Sequence, residues 1–249
     1  MKLEKIIAVR TSKTVFRDGD KCVKVFGEGY SKAKILNDAA VHARIEECGL
    51  DIPKIDEVTK AEGKWAIVYD YVPGKTFDRL MEAEPEKTEE YLNRFIDAQL
   101  KINDTKGTGL PKLKERLAAS FFSAGLSGVE LYDLHTRLES LPAGDKICHG
   151  DFAPSNLIAG EDGLDHVVDW SHASQGDPAA DAARSYLLFW LAGDIGGAEK
   201  YLSLYVEKSG ISKQTIQQWI PLRAAERLAL GKAEEREFLL YWVNVVDYQ

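Results

Sequence analysis

The stretch CHGDFAPSNLIAGEDGLDHVVDW, residues 148–170, decides how the rest of the chain is interpreted. It contains two β-like segments, 156–159 and 166–169, which are separated by the turn signal Asp162-Gly163. An Asp-Gly pair between β-prone runs is typical of a tight hairpin. The stretch therefore predicts a loop followed by a small β-hairpin.

Three side chains of this stretch carry metal-binding chemistry. Asp151 and Asn156 lie on a loop that contains Pro154, and Asp169 ends the second β-like segment. Two carboxylates and an amide oxygen, brought together by a hairpin, form a hard oxygen site suited to Mg²⁺. Asp and Asn also cap turns, which explains Asp162 but accounts poorly for the spacing of the other three.

The residues upstream of this stretch, up to about residue 72, alternate between β-prone runs and one helical segment. The helical segment, 31–48, is followed by Gly49, and glycine commonly ends helices. Asp18-Gly19-Asp20 predicts a hairpin between two of the runs. Pro73-Gly74 then breaks the pattern. The predicted strands are 3–10, 14–17, 21–26, 53–59 and 65–69.

The residues beyond Pro73-Gly74 are mostly of helical pattern. One helix face is predicted from apolar residues at helical spacing with a single polar exception, Gln99. Residues 181–191 and two segments after Ser212 are also predicted to be helical, and 146–148 is β-like. The face consists of Leu92, Phe95, Ile96, Gln99 and Leu100.

Composition excludes several classes of protein. The chain has 249 residues, 45% of them hydrophobic, and a formal net charge of −8. An acidic chain lacks the basic footprint of nucleic-acid or anionic-membrane binding. The longest apolar run, Leu187–Ala192, is far shorter than the ~20 residues that span a bilayer. Charged residues interrupt the N-terminus, so we expect no signal peptide and a cytoplasmic protein.

The cysteine and histidine pattern argues against disulfides and against zinc. The three cysteines, Cys22, Cys48 and Cys148, have no CxxC spacing and lie in apolar segments, which favours free, buried thiols. No second His or Cys lies at ligand spacing from His149, so a zinc site there is not expected.

Six motifs occur in the order of a known family. HGDFAPSN and VVDW resemble the catalytic and metal motifs of the aminoglycoside phosphotransferase and choline kinase family. The resemblance implies a protein-kinase-like α+β fold: residues 1–72 form a small antiparallel β lobe with one helix that binds the nucleotide, and residues 73–249 form a larger, mainly helical lobe with the β-hairpin insert and the acceptor site. The six motifs are VKVF (23–26), DIPKI (51–55), YDYVPG (69–74), HGDFAPSN (149–156), VVDW (167–170) and GDPAAD (176–181).

The resemblance also implies a role for individual residues. Asp151 accepts or orients the proton of the substrate hydroxyl, while Asn156 and Asp169 hold Mg²⁺ on ATP or GTP. Lys24 reaches the α and β phosphates, although a lysine between apolar strand residues is otherwise typical of a solvent-facing position. His149 and Asp181 are implied to be structural supports of the catalytic loop.

Two features depart from the family pattern. Where the family has a glutamate that pairs with the strand lysine, the register points to Asp38, whose helix face predicts an inward carboxylate for Lys24. An exposed Asp38 is the alternative. The turn 10–14, RTSKT, has no glycine, so Ser12 and Lys13 replace backbone amides as candidate nucleotide contacts.

The adenine base and the acceptor are predicted less specifically. The resemblance implies that the Asp70 carbonyl and the Val72 amide bind adenine. Aromatic residues could form a box for a quaternary ammonium, but at helical spacing we favour a core role for them. Acidic residues could favour a cationic acceptor, although such residues commonly form solvated surfaces. The residues concerned are Trp190, Trp219, Tyr241 and Trp242, and Asp194, Glu226, Glu234 and Glu235.

Three functions follow from these observations. The first is a small-molecule kinase acting on an amino alcohol, an aminoglycoside or a sugar. The second is a catalytically silent nucleotide-binding or scaffold protein, and the third is a protein Ser/Thr kinase. The third is disfavoured because a DFG and APE pair and a long activation segment are absent between Asp169 and Asp181. The oligomeric state is left open.

Overall fold

The computed structural model describes residues 3, 5–10 and 12–245 of the chain. Glu4, in the first predicted strand, and Thr11, in the glycine-free turn, lie outside the described residues. The elements are β1 (Lys5–Arg10), β2 (Lys13–Asp18), β3 (Lys21–Phe26), α1 (Lys32–Glu47), β4 (Ile55–Ala61), β5 (Lys64–Asp70), β6 (Gly74–Thr76), α2 (Phe77–Ala83), α3 (Thr88–Asp104), α4 (Leu113–Phe121), α5 (Gly128–Ser140), β7 (Lys146–Cys148), β8 (Leu157–Gly160), β9 (Asp165–Val167), β10 (Ser174–Gly176), α6 (Pro178–Leu191), α7 (Ile195–Ser209), α8 (Lys213–Leu228) and α9 (Arg236–Val243).

These elements group into two units by their contacts. Unit 1 consists of residues 1–85 and 154–172, and unit 2 of residues 86–153 and 173–249. Unit 1 therefore combines the N-terminal sheet with the hairpin of the stretch 148–170. The expected lobes 1–72 and 73–249 have different bounds and remain a prediction.

Unit 1 is built on a five-stranded sheet with the order β1-β2-β3-β5-β4. All neighbouring strands are antiparallel, and the turn at Gly19 joins β2 to β3. The predicted hairpin and the five predicted strands are confirmed, with ends that differ by a few residues.

Helix α1 covers one face of this sheet. Ser31 caps its start, because the Ser31 hydroxyl accepts a hydrogen bond from the Lys34 amide at 3.2 Å. Gly49 follows its end with a φ of 83°, as the sequence predicted for a helix stop. Ile35 of the helix packs with Phe26 and Ile67 of the sheet, and burial of these side chains attaches the helix to the strands.

A second sheet of unit 1 has the order β6-β8-β9. The hairpin predicted around Asp162-Gly163 is its β8–β9 pair. The prediction that Pro73-Gly74 breaks the β pattern is wrong, because Gly74 starts β6 and pairs with Gly160. A Cβ at Gly74 would lie 2.2 Å from the Ala159 carbonyl oxygen, so the pairing requires glycine there.

Unit 2 contains seven of the described helices and the two-stranded pair β10-β7. Helix α3 buries Phe95 and Ile96 on the predicted face, and the Phe95 ring stacks on Phe152 at 4.4 Å between centroids. Helix α6 starts at Asp177, whose carboxylate accepts a hydrogen bond from the Ala179 amide at 2.8 Å. It is buried over most of its length because it packs against both α7 and α8.

The three cysteines are free thiols, as predicted, but only Cys148 is buried, because Cys22 and Cys48 are partly exposed. Partial burial raises the pKa of Cys22 to about 11. None of the helices in the described part of the chain is both long and apolar enough to cross a bilayer.

Candidate active site

A cavity of about 690 Å³ lies within unit 1. That volume is in the range of small-ligand and cofactor sites. Its wall is formed by the first three strands, by the segment that follows β5 and by the β8–β9 hairpin. The residues used below that line it are Lys13, Lys24, Asp70, Val72, Asn156 and Asp169.

Lys24 enters this cavity from the middle of β3. Val23 and Val25 point into the core, so strand alternation directs the Lys24 side chain to the opposite face. Its ammonium nitrogen lies 2.9 Å from Asp169 Oδ1 and 5.3 Å from the centre of the Tyr69 ring. Burial lowers the pKa of Lys24, but Asp169 outweighs it, so the pKa lies above its usual value and the group is a cation.

Asp169 receives a second ammonium group from the glycine-free turn. Lys13 Nζ lies 2.6 Å from Asp169 Oδ2, and the Ser171 hydroxyl donates to Asp169 Oδ1 at 3.3 Å. Burial raises the pKa of Asp169, but Lys24 and Lys13 hold it well below the usual value. Asp169 is therefore ionised, with a cation on each carboxylate oxygen.

The hairpin places Asn156 next to Asp169. The Val168 amide donates to the Asn156 backbone carbonyl at 3.0 Å, and both Asn156 and Asp169 line the cavity. An amide oxygen and a carboxylate are hard ligands of the kind that Mg²⁺ prefers, usually completed by phosphate oxygens and water. The described residues contain no group of three or more His, Cys, Asp or Glu that could hold a metal alone. The pair thus fits a metal that is shared with a phosphate ligand.

The two turn residues named from the sequence differ in position. Lys13 lines the cavity, whereas Ser12 is not part of its lining. The Ser12 hydroxyl lies 3.3 Å from the Tyr30 hydroxyl, and its carbonyl accepts from the Gly27 amide at 2.9 Å. Ser12 thus ties the turn to the segment after β3.

Asp38 does not pair with Lys24 among the described residues, contrary to the expectation from the helix register. Lys24 pairs with Asp169 instead, and the Asp38 side chain is one methylene shorter than the glutamate of the family pattern. Asp38 is half-buried, as its predicted face required. Burial raises its pKa, while Lys34 and Lys24 act in the opposite direction.

The segment after β5 lines the same cavity. Asp70, Tyr71 and Val72 all line it. The Tyr71 amide donates to the Asp20 carbonyl at 2.9 Å, which anchors the segment to the β2–β3 turn. Within the described part of the chain, the Val72 amide donates to no backbone carbonyl.

In unit 2, the loop that contains HGDF, residues 149–152, is hydrogen-bonded to the buried carboxylate of Asp181. Asp181 Oδ2 accepts from the His149 amide at 3.1 Å, and Oδ1 accepts from the Gly150 amide at 2.8 Å. The Asn103 side-chain amide adds a donor at 3.1 Å. A buried carboxylate with several N–H donors is a rigid anchor, because leaving any of these groups unpaired is costly.

This anchor extends into α3 and α7. The Gln99 amide donates to the Ser185 hydroxyl at 3.1 Å and accepts from the Tyr201 hydroxyl at 2.7 Å, while Asn103 accepts from Tyr205 at 3.0 Å. Gln99, the polar exception on an apolar helix face, was the available sequence signal for this network.

His149 is fully buried next to Asp151. Its Nδ1 accepts a hydrogen bond from the Asp151 amide at 3.2 Å, and its ring packs edge-on against Phe152. The imidazole thus shapes the loop backbone. The Asp151 side chain is 27% exposed, so it reaches solvent while its backbone is held.

Two arginines at this loop were not predicted from the sequence. Arg184 of α6 donates to Asp151 Oδ1 at 3.3 Å, and Arg223 of α8 donates to the Gly150 carbonyl at 3.2 Å. Arg184 follows Asp181 by one helical turn within an otherwise apolar helix. That lone cation on the helix of Asp181 was the signal that could have identified it.

The sequence matches a known protein family over most of its length. Residues 5–211 match the family described as the phosphotransferase enzyme family. The chain belongs to the phosphotransferase enzyme family. None of the curated proteins matches the sequence closely enough to count as a relative.

Solved structures share the fold of this family member at low identity. A thermostable mutant of aminoglycoside phosphotransferase APH(4)-Ia is 17% identical, with a TM-score of 0.67 over 95% of this chain and 91% of that one. Choline kinase LicA from Streptococcus pneumoniae is 18% identical, with a TM-score of 0.66 over 98% and 93%. Macrolide 2'-phosphotransferase MphH from Brachybacterium faecium is 16% identical, with a TM-score of 0.58 over 98% and 92%.

These findings confirm the resemblance, the kinase-like α+β fold and the prediction of a phosphotransferase enzyme. They leave the roles of individual residues as predictions. The core role is confirmed for Trp219 and Trp242, which are buried, and is wrong for Tyr241, which is 68% exposed, while Trp190 is partly buried. Three of the four acidic residues considered for a cationic acceptor have other partners: Asp194 caps α7, Glu226 pairs with Arg223, and Glu235 pairs with Arg227.

Proposed function

We propose that this phosphotransferase moves the γ-phosphoryl group of ATP or GTP to a hydroxyl group of a small molecule. The observation that carries the proposal is the cavity of unit 1, which is lined by Lys13, Lys24, Asn156 and Asp169. Cations for phosphates and hard oxygens for Mg²⁺ are the groups that a kinase needs, because phosphoryl transfer relies on positioning and charge neutralisation.

Each cavity residue has a role in this proposal. Lys24 binds the α and β phosphates, and Lys13 supplies the donor that glycine amides provide in other kinases. Asn156 and Asp169 would hold Mg²⁺, which neutralises phosphate charge. The backbone of Asp70 and Val72 binds the base. Complexes of APH(4)-Ia with AMP-PNP and hygromycin B support a nucleotide co-substrate for this fold.

Asp151 is the proposed catalytic residue. It accepts or orients the proton of the acceptor hydroxyl while the oxygen attacks the γ-phosphorus. Because the transition state is largely dissociative, the direction of the carboxylate contributes more than its basicity. The anchoring of the loop by Asp181 supports this role, since it fixes the backbone on both sides of His149.

The acceptor is a small hydroxylated molecule such as an amino alcohol, an aminoglycoside or a sugar. The structural neighbours act on aminoglycosides, choline and a macrolide by their names. The acidic residues that would favour a cationic acceptor are mostly paired, so the charge of the acceptor is best decided by a panel that includes neutral and anionic alcohols.

Asp151→Asn and Asp169→Asn test the two proposed roles separately. We expect Asp151→Asn to bind MgATP normally but to lose at least about 100-fold in kcat, the contribution of a positioned proton acceptor. Asp169→Asn should chiefly weaken MgATP binding, because it removes the carboxylate that is proposed to hold Mg²⁺. Calorimetric titration with MgATP and transfer of labelled phosphate to the acceptor panel measure the two effects.

Asp162→Asn is the matched control, because Asp162 is an exposed turn residue that caps the Leu164 amide. Its kcat and MgATP affinity should equal those of the natural chain. If the natural chain binds MgATP but phosphorylates no acceptor, the silent nucleotide-binding alternative is correct. If Asp151→Asn transfers phosphate at the natural rate, the assignment of Asp151 is wrong.

A further inference from the structure

The loop that carries Asp151 rests on two buried arginines. The side chain of Arg184 is 3% exposed and that of Arg223 is 1% exposed. Removing a guanidinium group from water is costly unless a carboxylate compensates its charge. The groups that each arginine contacts therefore indicate why its charge is buried at this loop.

The neighbouring arginines have carboxylates of their own. Arg223 Nη1 lies 3.0 Å from Glu226, and Arg227 binds Glu235 through two nitrogens at 2.5 and 2.6 Å. Arg223 also donates to the Gly150 carbonyl, which is a backbone contact to the loop. Each of these two arginines thus has a carboxylate partner other than Asp151.

Arg184 has Asp151 as its carboxylate contact. Arg184 Nη2 donates to Asp151 Oδ1 at 3.3 Å, while its Nε and Nη1 are buried without a hydrogen-bond partner among the described residues. Burial lowers the pKa of Arg184, and Asp151 acts in the opposite direction. A stabilising ion pair is expected to satisfy more of the buried donors, so this one is poorly explained by stability alone.

We propose that Arg184 is a positioning residue of the phosphotransfer reaction, which holds the Asp151 carboxylate ionised and directed at the acceptor hydroxyl. The inference rests on the proposed function. In the step, the hydroxyl oxygen bonds to the γ-phosphorus, the bond from that phosphorus to the β–γ bridging oxygen breaks, and ADP leaves. The hydroxyl proton passes to Asp151, so a fixed carboxylate oxygen is needed at that moment.

The charged and titratable groups of unit 2 around the Arg184–Asp151 pair include His149 on the loop itself and Arg223, Glu226 and Arg227 on α8. Arg223 and Arg227 keep their own carboxylates when Arg184 is replaced, whereas the cation that donates to Asp151 Oδ1 is removed. Without this cation the Asp151 carboxylate should take up a proton at a higher pH. The fall in kcat on the acid side of its pH profile should therefore move to higher pH.

The experiment compares Arg184→Met, Arg184→Lys and the control Arg116→Met. Arg116 is another partly buried arginine of unit 2, and it donates to the Ala173 carbonyl at 3.2 Å. The first readout is MgATP hydrolysis with water as acceptor, measured against pH. The second is the carboxyl ¹³C titration of Asp151, assigned by comparison with Asp151→Asn, which requires no activity.

We expect Arg184→Met to lower kcat by about 10- to 100-fold with an unchanged KM for MgATP. The acid limb and the Asp151 titration should both move to higher pH, and Arg184→Lys should restore part of each. Arg116→Met should change neither. If Arg184→Met folds and shows the natural pH profile and titration, or if Arg184→Lys restores nothing, the proposal is wrong.

Failure of the proposed function gives a different pattern. The natural chain would then hydrolyse no MgATP and phosphorylate no alcohol, while the ¹³C titration would still report whether Arg184 holds Asp151. If Arg184→Met only unfolds, the folded Arg184→Lys variant carries the test, and a kcat profile and an Asp151 titration equal to those of the natural chain would contradict the positioning role.

Discussion

At the residue scale, Asp169 combines two unusual properties. Its φ of 68° is in the left-handed region, where only Gly, Asn and Asp are common. Its carboxylate lies between Lys13 and Lys24. Backbone strain of this kind costs of order 1–3 kcal/mol and clusters at functional sites. The backbone at Asp169 therefore adopts a locally unfavourable conformation that positions this carboxylate.

Glu235 gives a pH-dependent contribution to stability. Burial raises its pKa, but hydrogen bonds from Arg227 and Lys232 outweigh it and keep the pKa below the usual 4.5. A lowered carboxyl pKa stabilises the folded state above the unfolded value, and the contribution is lost as pH falls through the folded value. We expect Glu235→Gln to lower the free energy of unfolding at neutral pH by about 0.5–1 kcal/mol.

Urea unfolding at neutral pH and at about pH 3 measures this difference, which should shrink at the lower pH. Glu234→Gln, a change at the exposed neighbouring position, is the matched control and should have no effect at either pH. An effect of Glu235→Gln that is equal at both pH values would contradict the ion-pair explanation.

The candidate site residues that lie within sequence motifs could be predicted. Asp151, Asn156 and Asp169 lie in one stretch, and Lys24 is identified by its strand register. The contacts of Asp38 were not predictable, because the carboxylate that pairs with Lys24 is Asp169, 145 residues further along the chain, and helix register alone does not identify it. Arg184 and Arg223 were missed for a different reason: their partner is a loop far away in sequence, so the pairing depends on tertiary packing.

At the scale of elements, β6 depends on a glycine. A Cβ at Gly74 would meet the Ala159 carbonyl oxygen at 2.2 Å, whereas a Cβ at Gly29 meets nothing within 4 Å. Gly74→Ala should therefore break the β6–β8 pairing and destabilise the protein by about 1–3 kcal/mol. Gly29→Ala should change stability little. Urea unfolding of both variants is the measurement, and equal midpoints would contradict the close approach.

Elements with local signals were predicted best. Hairpins marked by Asp-Gly and the helix between Ser31 and Gly49 were found from the sequence, since caps and turns are local. Strand β6 was missed because Pro73-Gly74 commonly ends a pattern, and only the distant β8 makes a strand of it. Helices α4, α5 and α7 were not delimited, because their apolar faces are defined by tertiary neighbours.

At the scale of the whole molecule, nucleotide binding should raise the thermal stability of the protein. A ligand that binds only the folded state at 100 times its Kd adds about 2.7 kcal/mol. For a chain of this length, the melting temperature should rise by roughly 5–10 °C with MgATP. Differential scanning fluorimetry measures it, with ATP and a chelator as the control. No shift at saturating MgATP would contradict the nucleotide site.

Unit 1 is built from two separate segments of the chain, and this affects how it folds during synthesis. Residues 1–85 are translated before β8 and β9, which follow only after the whole first segment of unit 2, residues 86–153. At elongation rates of about 5–20 residues per second, the roughly 80 residues between β6 and β8 take about 4–16 s. During that interval β6 has no partner strand, so the nascent N-terminal region is the part of this enzyme that we expect to need protection by chaperones.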